Sequence, residues 1–354
     1  MEKIYQIYGR DAHDMTLRLL TAANAIARVP AGGSVALKPN LVVTGRPEDG
    51  AVTHPGVVSG CVEYFRAHGV RDISVIESSW VGDRTMSALR ASGLEAVCDK
   101  WDVPFYDLKK DETRPVDTPV GKIDVCRRAL DAGLLVDLPV LKGHCQTRMT
   151  CALKNLKGCI PDREKRRFHA MGLTKPIAAL GAALRPGLVV VDSICGDLDF
   201  EEGGTPVQTD RMFLCADPVT ADAYAAHLMG LSLDQVGYIS LAAEYGGGEA
   251  ASDPGDIVAL NAPSDAAAYI KPSGKVAKLT KRVRQDQACS ACFANLVRAL
   301  HVTGRTDIDI AIGQGYKGRT FDGLGVGRCC KGAAKCVMGC PPTAGQIARA
   351  LEEA

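Results

Sequence analysis

The chain has 354 residues, 46% of them apolar, with 42 Lys/Arg against 41 Asp/Glu and a formal net charge of +1. That length and apolar content allow a full hydrophobic core, in two domains or in one large domain with an appendage. The charge balance excludes bulk attraction to nucleic acid or membrane but permits a local basic patch, and no run approaches the ~18 consecutive apolar residues of a membrane span.

Residues 3–8 (KIYQIY) alternate like a strand, and 14–29 carry a helical apolar period with Asp14 as its N-cap. The opening fourteen residues lack the basic-then-apolar layout of a secretion signal, so the expected location is the cytoplasm. Residues 34–40 read as a strand ending in polar groups, 44–54 as a turn-rich loop, and Pro55 as the first turn of a helix over 56–68. A strand at 72–77 and a helix near 84–92 follow. This β-α-β-α rhythm predicts an α/β fold, a mostly parallel sheet flanked by helices. Further on, the sequence predicts a buried strand at 134–138, a helix at 174–184, a strand at 187–194 and an acidic loop at 196–206. A short strand at 211–215, a helix from Asp217-Pro218 to about Met229 and a helical stretch at 237–245 complete this part. The expected organisation is a substrate-binding domain over 1–260, a linker over 261–288 and a small cysteine-rich module over 289–354.

Open α/β sheets bind ligands beyond the carboxyl ends of their strands. Here those ends read Lys38-Pro39-Asn40, Glu77-Ser78-Ser79, Lys142-Gly143-His144 and Asp192-Ser193. The third opens the most basic stretch of the chain: from Leu138 to Lys175, nine Lys/Arg stand against Asp162 and Glu164. On a helix, Lys154 and Lys157 share a face beside Asn155, which can present two ammonium groups and an amide to a carboxylate or phosphate. Lys142, His144, Lys154 and His169 are the candidate catalytic groups, because a desolvated lysine or a histidine can exchange protons near neutrality. Lys38, Asn40, Glu77, Asn155, Lys157 and Asp192 are the candidate substrate-binding groups. Arg163, Lys165, Arg166 and Arg167 read as a solvated run, with a phosphate or RNA grip as the alternative. Asp192, Asp197, Asp199, Glu201 and Glu202 fall within eleven residues free of Lys and Arg, where they can form ion pairs with the basic segment or hold a divalent cation.

Fourteen cysteines in a chain without an export signal point to metal or thiol chemistry rather than disulfides. Five are scattered in apolar surroundings and three (Cys145, Cys151, Cys159) lie in the basic segment, at no standard ligand spacing. Six crowd the last 66 residues: Cys289 and Cys292 as C-x2-C, then Cys329, Cys330, Cys336 and Cys340, the last followed by proline. That pattern fits a [4Fe-4S] cluster, with a four-cysteine zinc site as the rival. Gly313-Gln-Gly315-Tyr-Lys-Gly318 matches a dinucleotide fingerprint in letters, but it runs on into more glycines and opens no helix.

LKPNLV, THPGVV, LPVLKGH, TCALKNLKG, DPVTADAYAAHLMG and the CSAC…GCPP ending together resemble the family catalogued as domain of unknown function 362, over nearly the whole chain. The resemblance implies a cytoplasmic, sometimes exported, protein that often carries ferredoxin-like iron–sulfur ligands, and it implies no general activity. In similar sequences a G-x-C precedes the GCPP cysteine, which implies Cys329 as third and Cys340 as fourth ligand beside Cys289 and Cys292. The spacing here is shorter, and Cys330 and Cys336 stand as alternatives for the third.

The function expected from these features is an iron–sulfur oxidoreductase. A [4Fe-4S] cluster, supplied by a ferredoxin-type donor, passes electrons to a small anionic substrate in a basic cleft. Two alternatives stay open, a non-redox isomerase or transferase with a structural or Lewis-acid cluster, and an RNA-binding iron–sulfur protein. The scarcity of aromatic side chains near the arginine run counts against RNA. Self-association is left open.

Overall fold

The structure, a computed structural model, describes residues 3–199, 201, 206–251, 255–262 and 274–354. The chain divides into two compact units, one of Met1–Arg167 with Thr174–Lys271, the other of Phe168–Leu173 with Pro272–Ala354.

The first unit is built on strands β1 (Ile4–Tyr8), β2 (Val35–Pro39), β3 (Ile73–Glu77), β4 (Phe105–Asp107), β5 (Leu134–Leu138), β6 (Leu188–Asp197), β7 (Pro206–Cys215) and β8 (Ile257–Ala259). They form one sheet in the order β8-β1-β7-β6-β5-β2-β3-β4. β7 runs antiparallel to both its neighbours, and the other pairings are parallel. β7 is twice as long as the strand read from the sequence, because its polar first half, Pro206–Asp210, pairs with the outer half of β6.

Side chains alternate across the sheet. Val35, Leu37, Val136, Leu138, Met212 and Leu214 turn to the face covered by α1 (Ala12–Ala22) and α2 (Pro55–Ala67). Asp11, not Asp14, caps α1, accepting from the amides of His13 and Asp14. Helix α3 (Asp162–Met171) lies within the basic stretch, and α4 (Thr174–Leu184) and α5 (Pro218–Leu228) come before and after the β6–β7 pair. α5 packs on that pair, and Asp217 caps it through the amides of Val219 and Thr220, as proline at its first position favours.

The second unit carries the parallel strands β9 (Val283–Gln285), β10 (Ile310–Ile312), β11 (Phe321–Val326) and β12 (Ala333–Val337), with α6 (Ser290–Thr303) packed against α7 (Ala344–Glu352). The stretch read as a linker, 261–288, is therefore partly structured: it holds the short helix Lys275–Leu279 and β9, while 263–273 lie outside the described residues. After β10, the glycine loop makes a single turn at Gln314–Tyr316 and enters β11 instead of a helix.

Candidate functional site

From β2 the chain steps outward through β3 and β4, then returns to the other side of β2 with β5 and β6. Strand order thus reverses between β2 and β5, and a ligand crevice is expected beyond their carboxyl ends. Lys38 and Asp137 sit side by side in register at those ends.

Lys38 is fully buried and ion-paired with Glu77 at the end of β3, and its ammonium also donates to the Pro39 carbonyl at 3.0 Å. Burial is the largest influence and opposes this charge, but Glu77, Cys159 and Asp137 together outweigh burial and hold Lys38 above the usual lysine range. Gly158 makes the pair possible: a Cβ there would lie 1.9 Å from Glu77 Oε1 and 2.7 Å from Lys38 Nζ.

The basic segment folds over this pair. Lys142 and His144 lie on a two-stranded hairpin, Lys142–His144 with Arg148–Thr150, rather than on the end of β5. Lys154 and Asn155 close the single helical turn Ala152–Asn155, and Lys157 follows in a 3-10 turn. The regular helix face expected for Lys154 and Lys157 is not formed, and Lys154 is inside the protein. Asn155 donates to Asp137 Oδ1 at 2.7 Å and to the Lys38 carbonyl at 3.4 Å. Lys142 donates to the Ala51 carbonyl at 2.7 Å, to Asn40 Oδ1 at 3.4 Å and to the Glu201 carbonyl at 3.2 Å.

Glu201 is the acid that answers this group. Its Oε1 accepts from Lys154, and its Oε2 lies 3.3 Å from His144 Nε2. Burial alone would raise its pKa, but Lys154, His144 and Lys142 together hold it well below the carboxylate range. The amides of Gln146 and Thr147 donate to His144 Nδ1 at 3.1 and 3.0 Å, so the ring proton sits on Nε2 and faces Glu201. Burial and the Lys154 charge lower His144 to about 4, keeping the imidazole neutral. Lys157 is only partly covered, yet desolvation and Lys154 bring it to about 7. Lys38, Asn40, Glu77, Lys142, His144, Lys154 and Asn155 thus belong to one connected set of contacts or adjoin it, and the charge of Lys157 acts on its members.

Asp192 lies apart from these contacts. The Asp192 carboxylate accepts from the amides of His54 at 2.8 Å and Ile194 at 3.1 Å, fixing the loop that follows Thr53 instead of meeting the lysines; burial raises its pKa. His169 belongs to the second unit, although α3 begins in the first. The solvated run is also corrected. Lys165 is buried, donates to Ser78 Oγ at 2.6 Å and to the Ser79 carbonyl at 2.7 Å, and is lowered to about 8 by burial. Arg163 and Arg167 hold Asp124 and Glu164. Of the acidic loop, Glu202 lies outside the described residues.

Asp137 went unselected in the sequence. Fully buried, with no hydrogen-bond partner for its Oδ2 among the described residues, it is raised to about 8 by desolvation, against the pull of Lys38 and Asn155. The available signal was one charge inside the aliphatic strand LLVDL. Asp222 on α5 receives the amides of Ala152 and Leu153 at 2.7 and 3.2 Å, orienting the turn that carries Lys154, and burial raises it to about 7.

In the second unit, Cys289 is the N-cap residue of α6, Cys292 lies in its first turn, Cys329 sits in the turn Arg328–Cys330, and Cys340 precedes a cis proline. Gln314 donates to Cys289 Sγ at 3.5 Å. Burial raises the pKa of Cys292 to about 12, with Cys289, Cys340 and Cys329 adding to the shift, and Cys289 is raised by burial and by Cys329 and Cys340. Cys330 is buried against the Gly313 carbonyl, and Cys336 contacts that of Gly327. Among the described residues, no three His, Cys, Asp or Glu side chains form a group arranged to hold a metal ion, at these cysteines, at Cys145, Cys151 and Cys159, or in the acidic loop.

The family model described as domain of unknown function (DUF362) matches residues 35–227. The chain belongs to the DUF362 family. The matched span runs from β2 to α5 and so contains every group of the Lys38–Glu201 site, whereas Cys289 to Cys340 lie beyond it. The thylakoid-associated protein sll1697 of Synechocystis sp. (strain ATCC 27184 / PCC 6803 / Kazusa) is 26% identical over 188 residues, or 51% of this chain and 57% of the relative. The chain thus matches a little over half the length of this relative. Among solved structures, the lactate racemase apoprotein from Thermoanaerobacterium thermosaccharolyticum aligns with a TM-score of 0.44 and 14% identity over 64% of this chain and 57% of that one. A Thermotoga maritima protein aligns with a TM-score of 0.42 and 12% identity over 63% and 61%. Among the described residues, no helix is long and apolar enough to cross a membrane.

Proposed function

We propose that this DUF362 protein is an enzyme that binds a small carboxylate among Lys142, His144, Lys154 and Lys157 and exchanges a proton with it through Lys157. The observation that carries this reading is the seat of Glu201, where the chain's own carboxylate is held by one ammonium and one neutral imidazole N–H, with a second ammonium, that of Lys142, on its backbone carbonyl. A pocket that grips an internal carboxylate in this way has the donors for an external one. Lys157, near 7, is the group in that shell whose proton affinity suits acid–base work at neutral pH.

The test is stabilisation and direct binding of two- to four-carbon carboxylates, with inorganic phosphate in parallel. Carboxylate affinity should fall about tenfold from pH ~6 to ~8 as Lys157 loses its proton, and Lys157→Met should abolish that dependence. Stabilisation by phosphate alone, or pH-independent carboxylate binding, would reject the reading.

The same proposal extends to a [4Fe-4S] cluster on Cys289, Cys292, Cys329 and Cys340, in a cytoplasmic oxidoreductase served by a ferredoxin-type donor. What supports it is the donor set: besides burial, Cys289, Cys340 and Cys329 all act on Cys292, so the four sulfurs share one neighbourhood, and thiolates are the ligands such a cluster takes. A bound cluster supplies one-electron chemistry. Anaerobic preparations should contain about four irons per chain. Ser substitution at any of the four should empty the site, while Cys330→Ser and Cys336→Ser keep it. One zinc per chain in place of iron, or cluster retention in Cys340→Ser, would discard this part.

A further inference from the structure

The turn that carries Lys154 has no cap of its own. It is four residues long, Ala152–Asn155, and the residue before it, Cys151, makes no side-chain hydrogen bond to its amides. Its internal bond runs from the Asn155 amide to the Cys151 carbonyl at 3.0 Å. A single turn is the unfavourable step of helix formation, and its first N–H groups need partners from outside it. Asp222, seventy residues beyond Ala152 and on α5, supplies them: Oδ1 accepts from the Ala152 amide at 2.7 Å and Oδ2 from the Leu153 amide at 3.2 Å. This carboxylate is fully buried, in a helix where its sequence neighbours are Ala221 and Ala223. A helix that needed only packing at this point would carry an apolar side chain, because a buried carboxylate has to recover its lost hydration from donors. At the far end of the turn, Asn155 is held by Asp137. Lys154 lies between these two anchors in the chain, itself buried, with its ammonium on Glu201.

We infer that Asp222 is a positioning residue of the carboxylate site: it caps the turn from another helix and so keeps the Lys154 ammonium where the site needs it. The inference rests on the carboxylate reading of that site, and Asp222 acts there through Lys154. Lys157 reports where Lys154 stands. Burial and then the Lys154 charge bring Lys157 to about 7, with Glu201 opposing them and Lys165 adding to them. Asp222 itself has Cys151 and Tyr238 beside it as well as the two amides. Displacing Lys154 therefore moves the Lys157 midpoint up. Loss of the Asp222 charge by itself would move it down, so the sign separates positioning from plain electrostatics.

The experiment is an NMR titration of the Lys157 amine in the full chain, with acetate binding measured alongside. Asp222→Asn keeps the volume but offers one acceptor where two amides need two. Asp222→Ser, smaller and also with one acceptor, is made in parallel so that folding of one variant suffices. The midpoint should rise by about one pH unit or more in Lys154→Met and by a similar amount in Asp222→Asn, and acetate affinity should fall roughly tenfold in each. Asp222→Asn/Lys154→Met should go no further than Lys154→Met alone, because both changes act through one ammonium. Asp217→Asn loosens the start of the same helix, where Asp217 accepts from the amides of Val219 and Thr220, and should leave the midpoint and acetate binding as in the wild type. The inference is overturned by an unchanged or lowered midpoint in Asp222→Asn, by additive effects in the double variant, by undiminished acetate binding in Asp222→Asn, or by an equal shift in Asp217→Asn. A raised midpoint in a protein that binds no acetate would reject the carboxylate reading and leave the positioning of Lys154 standing. A wild-type midpoint at the ordinary lysine value would overturn both.

Discussion

At the carboxyl ends of β2 and β3, Lys38 is fully buried and its ammonium rests on Glu77, whereas at the opposite end of the same sheet Lys3 and Arg185 are exposed beside an open cavity. The difference lies in what each end requires of the fold. A charge taken out of water must find its partner within the chain, because desolvation costs several kcal/mol per ion. An exposed charge keeps its hydration and needs no partner in the chain for the protein to fold. The carboxyl end is therefore dense with internal acids, Glu77, Asp137, Glu201 and Asp222, each set against a lysine, an amide or a backbone N–H.

Substitutions at the two ends should separate most sharply in stability. Glu77→Gln leaves Lys38 buried without its carboxylate and should cost about 3–5 kcal/mol in denaturant unfolding. Lys38→Met combined with Glu77→Gln should recover a large part of that loss, because the stranded charge is gone. Lys3→Gln and Arg185→Gln should each change stability by less than about 0.5 kcal/mol, as exposed substitutions do. Equal costs at the two ends would erase the contrast and would mean that the Lys38–Glu77 contact is not what holds the β2–β3 end together.

The same contrast explains how far the sequence could be read. The α/β class, the parallel strands and the polar strand ends followed from apolar periodicity and turn residues, and Lys38, Asn40, Glu77, Lys142, His144, Lys154 and Asn155 do gather at one end of the sheet. Burial of charge was less legible. Lys165 sits in a run, DREKRR, that looks solvated on composition, and only the tertiary fold shows Ser78 and Ser79 accepting its hydrogen bonds. Asp192 read as a cleft acid because it ends a strand, but its oxygens serve the backbone of His54 and Ile194. The cavity at the amino end had no local signal, since positions 3 and 185 border one space only through the reversed course of β7.

A smaller effect distinguishes the two ends by proton binding. His144 is held neutral in the folded state down to about pH 4, while in the unfolded chain it takes its proton near the ordinary 6.5. A folded pKa below the unfolded one means that the contribution is present above pH 6.5 and is lost as pH falls towards 4, where the unfolded state binds the additional proton. Asp137 and Asp222, raised to about 8 and about 7, act in the opposite sense, losing stability as pH rises from the ordinary carboxylate value, so the whole-protein curve mixes both signs. His144→Asn isolates the imidazole, because the amide oxygen still offers an acceptor to the amides of Gln146 and Thr147 but does not titrate. Between pH 6.5 and 4 the wild type should lose on the order of 2 kcal/mol more stability than His144→Asn. Lys3→Gln should follow the wild-type curve throughout, since Lys3 stands in solvent. Parallel curves for wild type and His144→Asn would mean that the imidazole is protonated beside Glu201, and the contact would then be an ion pair rather than a neutral hydrogen bond.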